Sequence, residues 1–378
     1  MRIAVNTRFL LSGKLEGMGW YTYELCRAMA ERYPRDTFYF LFDRPYSREF
    51  VFSKNCIPIV VPPPARHPWL WELWFEYAVP LALKAVRAEV FFSPDGYLSL
   101  RSRVPTLMTL HDLAFLHYPE QVPPRVLRYY QSHIPRFLER ADAVAVISHF
   151  VKEDVAAHYP AFANKLTVVP NGPRRGFRPL SEAEKMAVRK HFSGGKPYFF
   201  YLGALHPRKN LPRLIRAFTL FKAQTNAPLE LLIGGRMAWQ TGDIQEAWQQ
   251  SPYRDAIRFL GYVPEEALHN LLGAAYGLAY FSLFEGFGLP VLEAFSCEVP
   301  VLASNTSSIP EVAGTGALLA DPSREAEIAH VMRILWEEPG MAGTLVGKGR
   351  EQLGKFSWES AAEKIYELLV QTAKEGKG

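Results

Sequence analysis

Short apolar runs alternate with longer amphipathic runs along this chain, and the alternation starts twice with a break between. That pattern limits the fold more than any other feature. The first start is IAVNTRFL, read as a strand, then the glycine-containing loop SGKLEGMG, then the helix WYTYELCRAMAER, with Tyr21, Leu25 and Met29 at helical spacing. Strands are expected at TFYFLF, AEVFFS, TLMTLH and AVAVIS, and helices at WLWELWFEYAVPLALKAV, PRVLRYYQSHIPRFLERA and HFVKEDVAAHY. The stretch VVPNGPRRGFRPLSEAE then stops any regular element with Pro170, Gly172, Pro173, Gly176 and Pro179.

After the break, strands PYFFYLGAL, LELLIGG, IRFLGYV, GLAYFSL and PVLAS interleave with helices LPRLIRAFTLFKAQ, PEEALHNLLGAA and PVLEAFSCE. Strands alternating with helices make parallel sheets covered on both faces. The expected architecture is α/β, with two doubly wound, Rossmann-like domains over 1–175 and 182–358 facing a central cleft. At 378 residues the chain exceeds what one core usually supports, which agrees with two domains. The amphipathic stretch SWESAAEKIYELLVQTAKE closes the chain, with Ile365, Leu368 and Leu369 on one face.

Composition removes several function classes. With 48% hydrophobic and 21% charged residues, no run approaches the roughly 18 apolar residues of a membrane span. Arg8 falls too early in MRIAVNTRFLL for a signal peptide, so a cytoplasmic protein is expected. Cys26, Cys56 and Cys297 have neither disulfide nor zinc spacing. Net charge is +5, and the excess lies in front: up to Arg178 there are 23 Lys/Arg against 16 Asp/Glu. This suits a phosphate-bearing partner but lacks the dense basic stripes of a nucleic-acid binder.

The stretch FSLFEGFGLPVLEAF sets two carboxylates, Glu285 and Glu293, in an apolar frame. A buried carboxylate needs a partner or takes up a proton. Glu285 falls at a strand's carboxyl end and Glu293 on the first turn of the next helix, so both can face one ligand, with Gly286 and Gly288 permitting tight backbone between them. Sugar hydroxyls would donate to such acids. The purely structural alternatives are a dipole-favoured helix Glu and a rim ion pair. In LGALHPRKNLPRL, His206, Arg208 and Lys209 lie between a strand and a helix, where cations beside helix amides suit a diphosphate. His111 and Asp112 follow a first-domain strand in TLHDLAFLHYPE.

Taken in order, GMGWYTYEL, LHDLAFLHYPE, VVPNG, LGALHPRKNLPRLIRAF, FEGFGLPVLEAF and SNTSSIPEVAG with ALLADP resemble the retaining glycosyltransferases of family four, which have the GT-B fold. Nearly the whole chain is covered. The most specific element is the pair of glutamates enclosing GFGLPVL. The resemblance implies that Glu285 contacts donor-sugar hydroxyls and Glu293 the ribose, with the amides of Phe287, Gly288 and Leu289 helping to hold the donor. Arg208 and Lys209 would clamp the diphosphate, and His111 would reach the sugar. Gly17 and Gly19 would let the first loop lie close to the reacting centre. Many members carry an Arg directly after the strand-ending glycine; here that position is Ala204, and Arg208 would supply the charge. The closing helix, 359–376, would pack back on the first domain.

The implied function is a metal-independent hexosyltransferase with retention. It would move a hexose from a nucleotide-diphosphate sugar, GDP-mannose before UDP-sugars, to a glycan or lipid-linked acceptor in surface polysaccharide synthesis. No cofactor, no metal ion and no nucleic-acid partner are expected. As the anomeric bond breaks, charge grows on the diphosphate, so Arg208 and Lys209 would act on the transition state. The alternatives are a nucleotide-sugar epimerase of similar fold, which converts donor alone, and a noncatalytic sugar-nucleotide-binding protein. The ring-dense segment with Trp69, Trp71, Trp74, Phe75 and Tyr77 is expected either to pack on the first sheet or to give peripheral contact with the inner membrane face.

Overall fold

The structure, a computed structural model, describes residues 1–65, 67–236 and 242–376. It divides into two compact units, residues 1–172 with 357–378 and residues 173–356. Each is organised around its own parallel sheet.

The first unit holds β1 (Arg2–Asn6), α1 (Gly17–Arg32), β2 (Thr37–Phe42), β3 (Cys56–Val60), α2 (Pro68–Leu73), α3 (Val79–Ala85), β4 (Val90–Ser93), β5 (Thr106–Leu110), α4 (Ala114–His117), α5 (Pro124–Arg140), β6 (Ala143–Val146), α6 (His149–His158) and β7 (Leu166–Val168). Its sheet runs β3-β2-β1-β4-β5-β6-β7, with every pairing parallel. All five residues of β5 and all four of β4 are buried, as expected of strands covered on both faces.

The second unit holds α7 (Glu182–Ser193), β8 (Tyr198–Leu202), α8 (Leu211–Thr225), β9 (Glu230–Gly234), α9 (Gly242–Gln250), β10 (Ile257–Gly261), α10 (Glu265–Gly273), β11 (Gly277–Tyr280), α11 (Leu289–Ser296), β12 (Val301–Ser304), α12 (Ile309–Ala313), β13 (Ala317–Ala320), α13 (Glu325–Glu337) and α14 (Met341–Leu353). Its parallel sheet is ordered β10-β9-β8-β11-β12-β13. In each sheet the strand order reverses once, between β1 and β4 and between β8 and β11. Crevices at the carboxyl ends of strands open at such reversals.

Three edge or near-edge strands were not anticipated. β3 has Pro58 at its centre, tolerable because only β2 pairs with it; β7 is three residues long; β13 is half-buried. The long helix expected over the Trp-rich segment is α2 and α3 joined by a π-helical turn, Trp74–Ala78. That turn divides the rings: Trp74 and Phe75 are fully buried, whereas Trp69 and Tyr77 are 66% and 49% exposed.

The final helix, α15 (Trp358–Glu375), belongs to the first unit and buries Trp358, Ile365 and Leu369. It packs along α1: the Tyr33 and Tyr366 rings stack at 3.5 Å, Tyr366 donates to Asp36 at 2.6 Å, and Arg32 pairs with Glu363 at 3.0 Å.

Candidate functional site

The reversal in the second sheet brings two loops together. Leaving β8, the chain passes Gly203 (φ +147°), makes a 3-10 turn over Pro207–Lys209 and enters α8 through Asn210, whose left-handed backbone (φ +62°) suits an Asn. Asn210 is buried, and its Nδ2 donates to Phe281 O at 3.0 Å and Pro322 O at 2.6 Å. The Leu283 amide donates to Arg208 O at 2.8 Å. These bonds fix the β8 loop against the end of β11.

The β11 loop is clamped from the other side by 304–308. Ser307 Oγ accepts from the Glu285 amide at 3.1 Å, and Ser308 Oγ lies 2.9 Å from the carbonyls of both Glu285 and Phe287, sharing its one proton between them. Gly288 has φ +106°, and a Cβ there would meet Ile309 Cδ1 at 2.6 Å, so the position is closed to other residues. Helix α11 begins at Leu289, one residue before the expected Pro290.

Within this frame Lys209 Nζ lies 2.5 Å from Glu285 Oε1 and 3.0 Å from the Tyr280 hydroxyl, which donates to the same Oε1 at 2.8 Å. Burial pushes the Glu285 carboxyl up, but Lys209 and Arg208 outweigh it and hold the group below its usual range, so it is ionised at neutral pH. Burial, reinforced by Glu285, drives the Tyr280 phenol far upward, so it keeps its proton and can only donate to the acid. The partner of Glu285 is thus a preorganised Lys–Tyr pair.

Glu293 is 1% exposed on the first turns of α11. Its Oε1 accepts from Arg174 Nε at 2.5 Å, and Arg174 also lies over the Phe177 ring. Its Oε2 is buried with no hydrogen-bond partner among the described residues. An unsatisfied buried acceptor costs about 1–3 kcal/mol, which a ligand hydroxyl would recover. Arg174 went unrecognised in the sequence because it lies in the irregular stretch after VVPNG, 119 residues from Glu293.

The first unit places His111 just after β5. Its Nε2 is 2.7 Å from Pro94 O, and its ring meets Tyr21 edge-on at 4.8 Å. A carbonyl only accepts, so Nε2 carries the proton. Burial lowers the imidazole pKa, so the ring is neutral near pH 7 and Nδ1 offers a lone pair. Gly17 and Gly19 differ from expectation: they form the first turn of α1, which starts three residues before Trp20, rather than the loop. Gly19 is needed for packing, since a Cβ would sit 2.9 Å from Phe9 O, whereas a Cβ at Gly17 would meet nothing within 4 Å. The second unit therefore gathers Arg208, Lys209, Glu285, Phe287 and Gly288 on adjacent loops, with Leu289 and Glu293 on the start of α11. His111, Gly17 and Gly19 lie in the first unit.

Residues 183–369 match the family described as glycosyl transferases group 1, and residues 15–173 match glycosyltransferase family 4. The chain is 32% identical over 297 residues to O-antigen chain mannosyltransferase B of Escherichia coli, covering 76% of each. It is a family 4 glycosyltransferase. This glycosyltransferase is also 26% identical to O-antigen chain mannosyltransferase RfbU of Salmonella typhimurium, over 79% of this chain and 80% of that one. Among solved structures, sucrose-phosphate synthase from Thermosynechococcus elongatus superposes with a TM-score of 0.79 at 21% identity, covering 98% of both chains. WaaG, a glycosyltransferase involved in lipopolysaccharide biosynthesis, does so with 0.74 at 15%, covering 97% and 99%. The glycosyltransferase thus has the two-domain GT-B fold. No described helix is long and apolar enough to cross a membrane.

Proposed function

We propose that this glycosyltransferase moves a mannosyl group, with retention, from a nucleotide-diphosphate mannose to a glycan or lipid-linked acceptor in surface polysaccharide synthesis. The observation that carries the donor reading is the fixed Lys209–Glu285–Tyr280 triangle with Arg208 beside it, at the strand-order reversal of the second sheet. The mannosyl assignment rests on the relatives named mannosyltransferases.

In this reading Arg208 and Lys209 face the diphosphate and neutralise charge that grows as the anomeric bond breaks, a contribution larger in the transition state than in the ground state. Glu285 accepts from sugar hydroxyls, and the partnerless Glu293 Oε2 accepts from the ribose. The backbone amides of Phe287 and Gly288, just before α11, and of Leu289, its first residue, add donors. Charge neutralisation is assigned to side chains, with no metal ion or cofactor required. Contact with a membrane-held acceptor is supported by Trp69, Leu73, Tyr77 and Leu81, which recur every four residues along the α2–α3 segment and are all exposed.

The deciding experiment is a thermal-shift screen across nucleotide sugars followed by radiolabelled transfer. GDP-mannose should raise Tm most, since a ligand binding only the folded state at 100 times its Kd adds about 2.7 kcal/mol. Product NMR should show the donor's anomeric configuration, and EDTA should leave the rate unchanged. A flat screen would remove the donor site, and conversion of donor alone would favour epimerisation.

A further inference from the structure

Outside the donor loops, one cluster in the first unit has the chemistry of a metal site. His117 ends α4, and Asp154 and His158 lie one turn apart on α6. His117 Nε2 is 2.8 Å from Asp154 Oδ1, His158 Nδ1 is 3.2 Å from the same oxygen, and the two imidazole rings meet edge-on with centroids 5.3 Å apart. One ligand atom from each residue falls within 4.8 Å of the other two.

We propose that His117, Asp154 and His158 form a binding site for a late divalent transition metal, Zn²⁺ first. Two imidazoles with one carboxylate suit zinc, cobalt and nickel and are a poor set for magnesium or calcium, which take oxygen ligands. Ligand atoms around a tetrahedral zinc stand about 3.4 Å apart, given bonds of about 2.0–2.1 Å. Both Asp–His contacts are shorter than this, so the cluster opens slightly as the ion replaces the proton that His117 donates to the carboxylate and the one that His158 Nδ1 donates to the Asp154 carbonyl at 2.9 Å. The side chains of His117 and His158 are 33% and 39% exposed, leaving a path from solvent and a coordination position for water, while Asp154 at 8% is held in place. His158 is the last residue of the ten-residue α6, where the helix dipole favours a cation.

The ion would join two elements. Helix α4 starts three residues after His111, with the Ala114 amide capped by Asp112 Oδ1 at 3.0 Å. Bridging α4 to α6 would restrain the segment that presents His111. Catalysis is not asked of this ion, and its binding does not depend on the donor assignment.

The test is isothermal titration of the full chain, with any affinity tag removed, using Zn²⁺, and Co²⁺ absorption as a geometric probe. Expected are one ion per chain, a visible Co²⁺ band of tetrahedral type, and a rise in Tm with Zn²⁺. His117→Gln keeps a donor for the Asp154 carboxylate and His158→Gln one for the Asp154 carbonyl, but neither amide ligates zinc. Each should weaken binding at least tenfold, while unliganded Tm stays near the parental value. His191→Ala, distant in sequence on α7, should bind like the parent. Absence of stoichiometric Zn²⁺ binding, or equal binding by the parent and both Gln variants, would overturn the site.

Discussion

Each sheet carries one cation and one carboxylate where its strand order reverses, and the two pairs are built differently. In the first unit Arg8, just beyond β1, meets Asp95, just beyond β4; in the second Lys209, after β8, meets Glu285, after β11. Both contacts are 2.5 Å. The guanidinium of Arg8 lies 4.2 Å from the Tyr97 ring centre, 4.7 Å from Phe9 and 5.3 Å from Phe75, and the pair is 4% and 2% exposed. Lys209 and Glu285 are 14% and 10% exposed, and Arg208 adds a second positive charge. A sealed, balanced pair holds two loops together. A pair with surplus positive charge can also receive an anion. The same position in the same topology is a sealed pair in one unit and, in the function proposed above, an anion-binding pair in the other.

Asp95→Ala should have the largest effect. It would strand a buried guanidinium and should cost roughly 3–5 kcal/mol, read as a large fall in Tm. The double change Arg8→Met/Asp95→Leu should recover most of that loss, because a buried pair exchanges well for apolar groups of similar size. Parental stability in Asp95→Ala would show that the pair braces nothing.

On the other side of the comparison, Lys209→Ala should lower kcat by roughly 10² to 10³ with the circular dichroism spectrum intact, the usual effect of losing one preorganised charge contact. A parental rate would move the diphosphate clamp elsewhere. Glu293→Gln should have a smaller effect that sharpens the division of labour. The amide preserves volume and an acceptor for Arg174 but weakens the bond to ribose, so donor KM should rise about tenfold with kcat little changed. Glu293→Ala is a poorer test, because it also leaves the Arg174 charge buried without this partner.

The smallest expected effect is a pH dependence. Burial holds the His111 pKa below its ordinary 6.5, so the unfolded chain binds this proton more readily than the fold. The contribution is therefore complete above pH 6.5 and is lost as pH falls through the folded value. His111→Gln should flatten that part of a Tm-against-pH curve. An unchanged curve would mean that the ring is not held neutral by the fold.

Much of this was legible in the sequence, for identifiable reasons. Alternating apolar runs exposed the central strands because parallel strands buried on both faces must be apolar throughout. The glycines and acids of FEGFGLPVLEAF stood out because chemistry and backbone geometry coincide there. The edge strands β3, β7 and β13 were missed, whereas the edge strand β10 was not; one-sided pairing asks less of an edge strand's residues, and β3 accommodates a proline. Arg174 and Tyr280 were missed because each partner was set by the fold: Arg174 reaches Glu293 across 119 residues, and Tyr280 looks like any other strand aromatic. The start of α1 was placed late because glycines ordinarily weaken a helix, whereas Gly19 is selected by the Phe9 carbonyl against it.

The return of α15 to the first unit also matters to a chain emerging from the ribosome. The first unit lacks its last helix, and with it buried Trp358, Ile365 and Leu369, until the whole second unit has been translated. At roughly 5–20 residues per second, making residues 173–356 takes roughly 10–40 s. During that interval the flank of α1 around Tyr33 waits for Tyr366, and the second unit, one continuous segment, is the first to have all its parts.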